Sequence, residues 1–229
     1  TVDDRKAPPT TQLVLDGNLS PVASYAVGLT VGRHLRAAFI EDGMTADTES
    51  ILVGMRDGLA GRKPPHDEDR IEEAVLAIEH KARLRQAQKR YDADPAFRKM
   101  ADENLMRARE QMDRYSRRAG VEKLPNGVLF QTLVEGEGDF VAGAEFVTAH
   151  FAMYTGDLVK VRSTDPGKPT ELKLSRIKPV VADVVRECRV GGTYRVAIPP
   201  ELAFGLAGNP PVVGPNQAIL MQFEIVSAR

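Results

Sequence analysis

The sequence predicts an α+β chain, helices first and an antiparallel sheet after them. Three observations predict it. Between about 20 and 120, apolar residues recur at helical spacing. From 121 onward, short segments mixing β-branched or aromatic residues with polar ones alternate with Gly/Pro-rich turns. A single valine-rich stretch opening on Pro179 interrupts that second run as one short helix.

Composition sets the outer bounds. The chain has 229 residues, enough for one large or two small domains. Its net charge of −1 gives no overall electrostatic drive toward nucleic acid. No apolar run is long enough for a membrane span. The one cysteine, Cys188, has no intramolecular partner and reads as an inert core thiol. The four histidines, His34, His66, His80 and His150, are too scattered to suggest a metal site, and no cofactor is expected. The chain starts at Thr1 without Met, which fits removal of a signal peptide and equally fits trimming at that point.

Residues 1–19, with Pro8-Pro9 and adjacent threonines, read as a flexible arm. Ser20-Pro21 is a helix start, Ser as N-cap and Pro at the first helical position. Tyr25, Leu29, Gly32, Leu35 and Phe39 then share one helix face, and Gly43 ends the helix. Gly28 and Gly32, four apart, would let a second backbone approach closely. Asp47 caps a second helix to about Leu59, with Ile51, Met55 and Leu59 on one face. Two amphipathic helices this short bury too little surface alone, so residues 20–66 are expected to form a helical dimerisation domain.

Residues 67–120 read as a long linking helix, charged and free of Gly until Gly120. Ile71, Val75, Ile78 and Ala82 make a stripe that thins to Ala87, Tyr91, Phe97, Met100, Met106 and Met112. So polar a helix is expected to bridge solvent between domains or to pair with little buried area, with the methionines as core filler. Asp94-Pro95 marks a kink or a restart. The basic run Arg83, Arg85, Lys89 and Arg90 reads as a solvated face.

In residues 121–229 the strand candidates are Val128–Glu135, Glu145–Tyr154, Leu158–Ser163, Glu171–Leu174, Thr193–Ile198 and Ala218–Val226. Residues 164–170 make a loop or bulge, and Pro179–Cys188 the short helix. The most specific stretch is Val190-Gly-Gly-Thr-Tyr-Arg-Val-Ala-Ile-Pro-Pro-Glu-Leu-Ala-Phe-Gly205, followed by Pro215-Asn-Gln-Ala-Ile-Leu220. A double Gly opens a strand, a Pro pair ends it, a single turn closes at Gly205, and a Gly/Pro-rich loop leads to the last strand.

That order resembles the FKBP-type peptidyl-prolyl isomerases. With the Tyr25–Phe39 helix, the Gly54–Gly61 segment and Leu124–Gly138, the resemblance extends over residues 20–229 to the Mip-like branch. It implies a C-terminal FKBP-like antiparallel sheet wrapped around one short helix, homodimers, proline-containing polypeptides or unfolded clients as partners, and a secreted, periplasmic or outer-surface location. Carried over residue by residue, it implies catalytic positions at Phe151, Val161, Arg162, Lys178 (through its backbone N–H) and Phe204. It implies substrate-binding positions at Ile177, Val181, Val212, Val213 and Met221. The chain departs from the family where the pocket is most aromatic. Val181 stands in place of a tryptophan, Phe204 and Phe151 in place of tyrosines, Val161 and Met221 in place of phenylalanines, and Arg162 in place of an aspartate. Three readings stay open at this point: an isomerase with a remodelled pocket, a non-catalytic chaperone or polypeptide-binding module, and a structural dimer.

Overall fold

The computed structural model describes residues 14–15, 18–41 and 43–229. The chain divides into two compact units, Thr1–Pro65 and His66–Arg229. Most of the expected arm lies outside the described residues. Its described part holds two short strands, β1 (Val14–Leu15) and β2 (Asn18–Leu19), paired antiparallel. No helix among the described residues is long and apolar enough to cross a membrane.

The first unit carries α1 (Pro21–Glu41) and α2 (Thr48–Leu59). Both start as their capping residues dictate. Ser20 Oγ accepts from Ala23 N at 3.2 Å, and Asp47 accepts from Glu49 N at 3.1 Å. Gly43 takes the left-handed conformation that ends α1. Neither helix buries a residue, and Tyr25 is 71% and Leu59 88% exposed.

In the second unit the interruption expected at Asp94-Pro95 is a restart. There are two helices, α3 (Glu68–Ala93) and α4 (Pro95–Ser116), broken at Asp94. Asp94 is extended, and its carboxylate accepts from Ala96 N at 3.0 Å and Phe97 N at 3.1 Å, so Asp-Pro ends one helix and starts the next. The corner is braced: Tyr91 donates to Asp102 at 2.8 Å, and Arg98 donates to the carbonyls of Tyr91 and Asp92.

Neither helix bridges solvent: α4 packs on the edge of the sheet that follows, and α3 packs on α4 and on the 3-10 turns Leu174–Arg176 and Gly205–Ala207. Phe97, Ala101, Asn104, Ala108 and Tyr115 are buried at roughly heptad spacing along α4. The Asn104 amide donates to Pro215 O at 2.8 Å, and the Asn216 amide donates to Ala101 O at 3.3 Å. Small residues let the helix approach that closely. Met100 and Met106, expected in the core, are instead exposed.

Seven strands form the sheet: β3 (Val121–Lys123), β4 (Leu129–Val134), β5 (Phe146–Thr155), β6 (Lys160–Ser163), β7 (Thr170–Lys173), β8 (Thr193–Ile198) and β9 (Ile219–Ala228). Their order is β3-β4-β8-β9-β5-β6, with β7 also on β5 and every pair antiparallel. Only β3 has no counterpart in the strands expected from sequence. The short helix α5 (Pro179–Arg186) lies over the inner face and buries Ala182, Val184 and Val185. That face contributes Val147, Ala149, Val196, Ile198, Ile219, Phe223 and Ile225 to one core. Tyr194 stacks between Phe130 and Phe223, with centroids at 5.6 and 5.7 Å. Cys188 is fully buried at the end of α5, and burial pushes its thiol up to about 12.

Candidate functional site

Strand alternation decides which side chains reach the inner face. Phe151 of β5 pairs with Phe223 of β9, and Met153 pairs with Met221, so all four face α5. On the other side of β5, Met153 pairs with Arg162 and Tyr154 with Lys160. Val161 is the extra residue of a bulge between those pairs. The bulge keeps Val161 packed on the apolar core while Arg162 reaches back across β5, its guanidinium 5.7 Å from the Phe151 ring centroid.

From the other edge, the 3-10 turn Leu174–Arg176 leads through Ile177 and Lys178 into α5. Ile177 and Val181 pack on the same core. The carbonyl of Lys178 accepts from Val181 N at 2.9 Å and Ala182 N at 3.0 Å. Its N–H makes no hydrogen bond to any described residue. After β8, the chain turns at Pro199-Pro200 and Gly205, where Gly205 N donates to Pro200 O at 2.7 Å. That turn holds Phe204 on the core, with the Lys178 ammonium 4.8 Å from its ring centroid.

The loop beyond closes on itself through Asn209 and Val213, whose backbones exchange hydrogen bonds of 2.8 and 3.1 Å. Val213 is buried at 1% exposure, while Val212, at 41%, faces out at the tip. Seven of the ten expected site residues therefore meet in one apolar cluster: Phe151, Val161, Ile177, Val181, Phe204, Val213 and Met221. Arg162 and Lys178 stand on two of its rings. Val212 is not part of that cluster.

Two further groups of residues border the site without being expected from sequence. Met153, Leu172 and Leu202 pack on the same cluster. The strict alternation Ala149, Phe151, Met153 was the signal for the second ring-side position. The other group is on α3. Leu84 approaches within 3.5 Å of where a Cβ on Gly205 would lie. Lys178 is pushed below the usual lysine range by burial and then by the charge of Arg83. His80 is lowered by burial, then by Lys178 and Arg83. Asp69 pairs with Lys173 and, at 3.7 Å, with Arg176, and Glu72 pairs with Arg176 at 3.0 Å. One helix thus touches both segments that carry the backbone donor and Phe204. Contacts this distant in sequence leave no local pattern.

A concavity of about 660 Å³ lies elsewhere, on the outer face of the sheet beside α4. Met112, Tyr115, Tyr154 and Leu220 line it, with Arg118 and Arg195 at its walls. None of the ten residues borders it. The inner cluster is the better candidate for chemistry, because its rings lie beside Lys178, whose N–H makes no hydrogen bond to any described residue.

Comparison with known proteins gives the following. A family described as the domain amino terminal to FKBP-type peptidyl-prolyl isomerase matches residues 21–132. The FKBP-type peptidyl-prolyl cis-trans isomerase family matches residues 138–226. The chain is 25% identical over 214 residues to the FKBP-type peptidyl-prolyl cis-trans isomerase FkpA of Escherichia coli K12, covering 90% of this chain and 75% of that protein. It is 26% identical over 208 residues to the FKBP-type 22 kDa peptidyl-prolyl cis-trans isomerase of the same organism, covering 89% and 93%. It is 22% identical over 210 residues to the outer membrane protein MIP of Legionella longbeachae, covering 90% and 84%. The crystal structure of FkpA from Escherichia coli superposes with a TM-score of 0.55 at 22% identity, over 92% of this chain and 97% of that one, which shows a common fold.

Proposed function

The chain belongs to the FKBP-type peptidyl-prolyl cis-trans isomerases that carry a helical amino-terminal domain, and from that premise we propose that it turns X–Pro bonds in polypeptides within the cluster beneath Lys178. The observation that carries this reading is the unbonded Lys178 N–H at the edge of seven apolar side chains. Rotation about a peptide bond meets a barrier of about 18–20 kcal/mol, because the twisted amide loses resonance. Lowering it needs no acid, base or metal. An apolar pocket takes the proline ring and removes water from the amide, and a fixed donor meets the carbonyl oxygen as it leaves the plane.

In this reading Phe151, Val161, Ile177, Val181, Phe204 and Met221 hold the ring, and Val213 anchors the loop beside it. Turnover is expected to be weak. Val181 supplies far less contact than an indole, for an aromatic side chain buries about 150–250 Å². Phe204 has no hydroxyl to donate. The test is turnover of a proline-containing peptide by the full chain. Val181→Trp combined with Arg162→Asp should raise it about tenfold, equivalent to about 1.4 kcal/mol of barrier. A parent chain already as fast as members with fully aromatic pockets would sink the idea of a weakened site. A folded but inert double variant would discard the assignment of Val181 and Arg162.

The helical unit supports a second part of the proposal. With no buried residue in α1 or α2, and with Gly28, Gly32, Gly54 and Gly58 open on their surfaces, its apolar faces fit a second copy of the same chain. The full chain should scatter light as a homodimer at micromolar concentration; a monomer there removes this part. A dimer presenting two clefts also suits a holdase for unfolded clients, read out as suppressed aggregation of a denatured protein. One relative is named an outer membrane protein, which supports a periplasmic or outer-surface location.

A further inference from the structure

The proposed cleft has a cationic rim, and no carboxylate of the described residues pairs with Lys178 or Arg162 there. The Lys178 ammonium lies on the face of Phe204, half-buried, and the Arg162 guanidinium lies by the ring of Phe151. Arg83 approaches Lys178 from α3, near enough for its charge to oppose that of the lysine. The carboxylates around them are engaged elsewhere or far into solvent. Asp69 and Glu72 pair with Lys173 and Arg176, Asp183 pairs with Arg186 at 3.1 Å, and Glu201 is exposed. Glu79 lies 3.9 Å from Arg83, but both are more than half exposed, so it offsets little. Burial and the charge of Arg83 thus oppose the charge of Lys178, and no carboxylate of the described residues pairs with it.

An incoming carboxylate would supply what the rim lacks. The backbone donor and the ammonium belong to one residue. A carbonyl accepting from Lys178 N–H therefore brings the side chains of its neighbours within reach of Lys178 Nζ. A charge pair to the half-buried Lys178 is worth more than one at an open surface, while the exposed Arg83 and Arg162 add weaker, screened attraction. Resting on the reading of the cleft as a polypeptide site, we propose that the rim of Lys178, Arg83 and Arg162 selects segments in which an acidic residue flanks the proline.

The selection is distinct from the isomerisation step, since it acts through side-chain charges whereas rotation depends on the apolar pocket and one N–H. It also gives α3 a role beyond support: the helix brings Arg83 to a substrate that the sheet domain holds.

The experiment uses the full chain and five short peptides: Ala-Glu-Pro-Ala, Ala-Lys-Pro-Ala, Ala-Ala-Pro-Glu, Ala-Ala-Pro-Lys and the neutral Ala-Ala-Pro-Ala, all with blocked ends. Binding is read by calorimetry and cis/trans exchange by NMR. At low salt the better Glu peptide should bind about tenfold more tightly than its Lys partner, a difference of about 1.4 kcal/mol. At about 0.5 M salt the ratio should fall to about twofold as the charges are screened. Arg83→Gln should lower the ratio at least about threefold and leave exchange of the neutral peptide as it was. Arg83→Gln with Lys178→Gln and Arg162→Gln should remove the preference. Equal binding of Glu and Lys peptides overturns the proposal, as does a preference that survives all three substitutions. Exchange without charge preference sinks the rim and leaves the isomerase. Preferential binding without exchange sinks the isomerase and leaves the rim. Failure to bind any of the five overturns both.

Discussion

Replacing Lys178 with proline should abolish most turnover without unfolding the protein. The backbone already suits the change. Lys178 has φ −56°, inside the range the pyrrolidine ring imposes, and ψ 133°. Ile177 before it, at φ −100° and ψ 162°, has the extended conformation that a residue preceding proline requires. Proline removes an N–H, and here that N–H bonds to nothing in the described chain, so no internal hydrogen bond is lost. Stability should stay level or rise by about 0.4–1 kcal/mol, because the unfolded chain loses freedom. What disappears is the donor proposed to meet the twisting carbonyl. Loss of one preorganised donor costs about a hundredfold in rate, or about 2.7 kcal/mol. The control is Lys178→Ala, which keeps the N–H and should turn over a neutral peptide within about threefold of the parent. A fall in kcat, beyond any rise in KM from the added ring, separates a lost donor from a blocked entrance. Equal kcat for the proline and alanine variants would remove the backbone donor from the mechanism.

That result would be informative because so much of the site follows from local sequence. Strand β8 runs from Thr193 to Ile198 as expected, since a Gly pair opens it and a Pro pair forbids its continuation. Helix α5 starts at Pro179 for the same kind of reason, a fixed φ with no N–H to satisfy. Asp94-Pro95 carried both halves of its meaning, the end of α3 and the cap of α4. The packing of α3 and α4 was not legible. Their buried seam includes Ala87 and Phe97, which lie on the expected stripe, but also Ala101, Asn104 and Ala108, small or polar residues that a hydropathy pattern assigns to solvent, while the apolar-looking Met100 and Met106 face out. Close approach depends on the absence of bulk, and absence has no periodic signature. Likewise the bulge at Val161 exists only as a register difference between β5 and β6. The nearness of Arg83 to Lys178 is a property of the folded chain alone. Composition could name the side chains of the cleft, but the charge around it required the packing of a distant helix.

The loop beside Phe204 depends on one glycine, and Gly208→Ala is expected to be the most damaging single-methyl addition in the second unit. Gly208 has φ 62° and ψ −161°, a region essentially closed to residues with a Cβ. An added Cβ would lie 2.5 Å from Val213 O and 2.8 Å from the carbonyl carbon of Gly214. Both are backbone atoms, so no side chain can swing away to make room. The Gly208 N–H donates to Phe204 O at 3.1 Å and Gly205 O at 3.2 Å, which ties the same residue to the turn that holds the Phe204 ring. Relief of the clash must push Val213–Gly214 outward or break those bonds. Either movement drags Val213 from the core, since it is buried at 1% exposure. Conformational strain and displaced packing together should cost about 3 kcal/mol or more. With an m-value of about 2 kcal/mol per molar, the urea midpoint should fall by about 1.5 M. Peptide turnover should fall with it even far below the midpoint, because Phe204 and Val213 border the proposed pocket. Gly143→Ala is the matched control: nothing lies within 4 Å of its added Cβ, and the change should move the midpoint by no more than about 0.2 M. If Gly208→Ala unfolds at the parent's urea concentration and keeps its turnover, the loop is looser than this geometry. Phe204 would then owe its position to the Pro199–Gly205 turn alone.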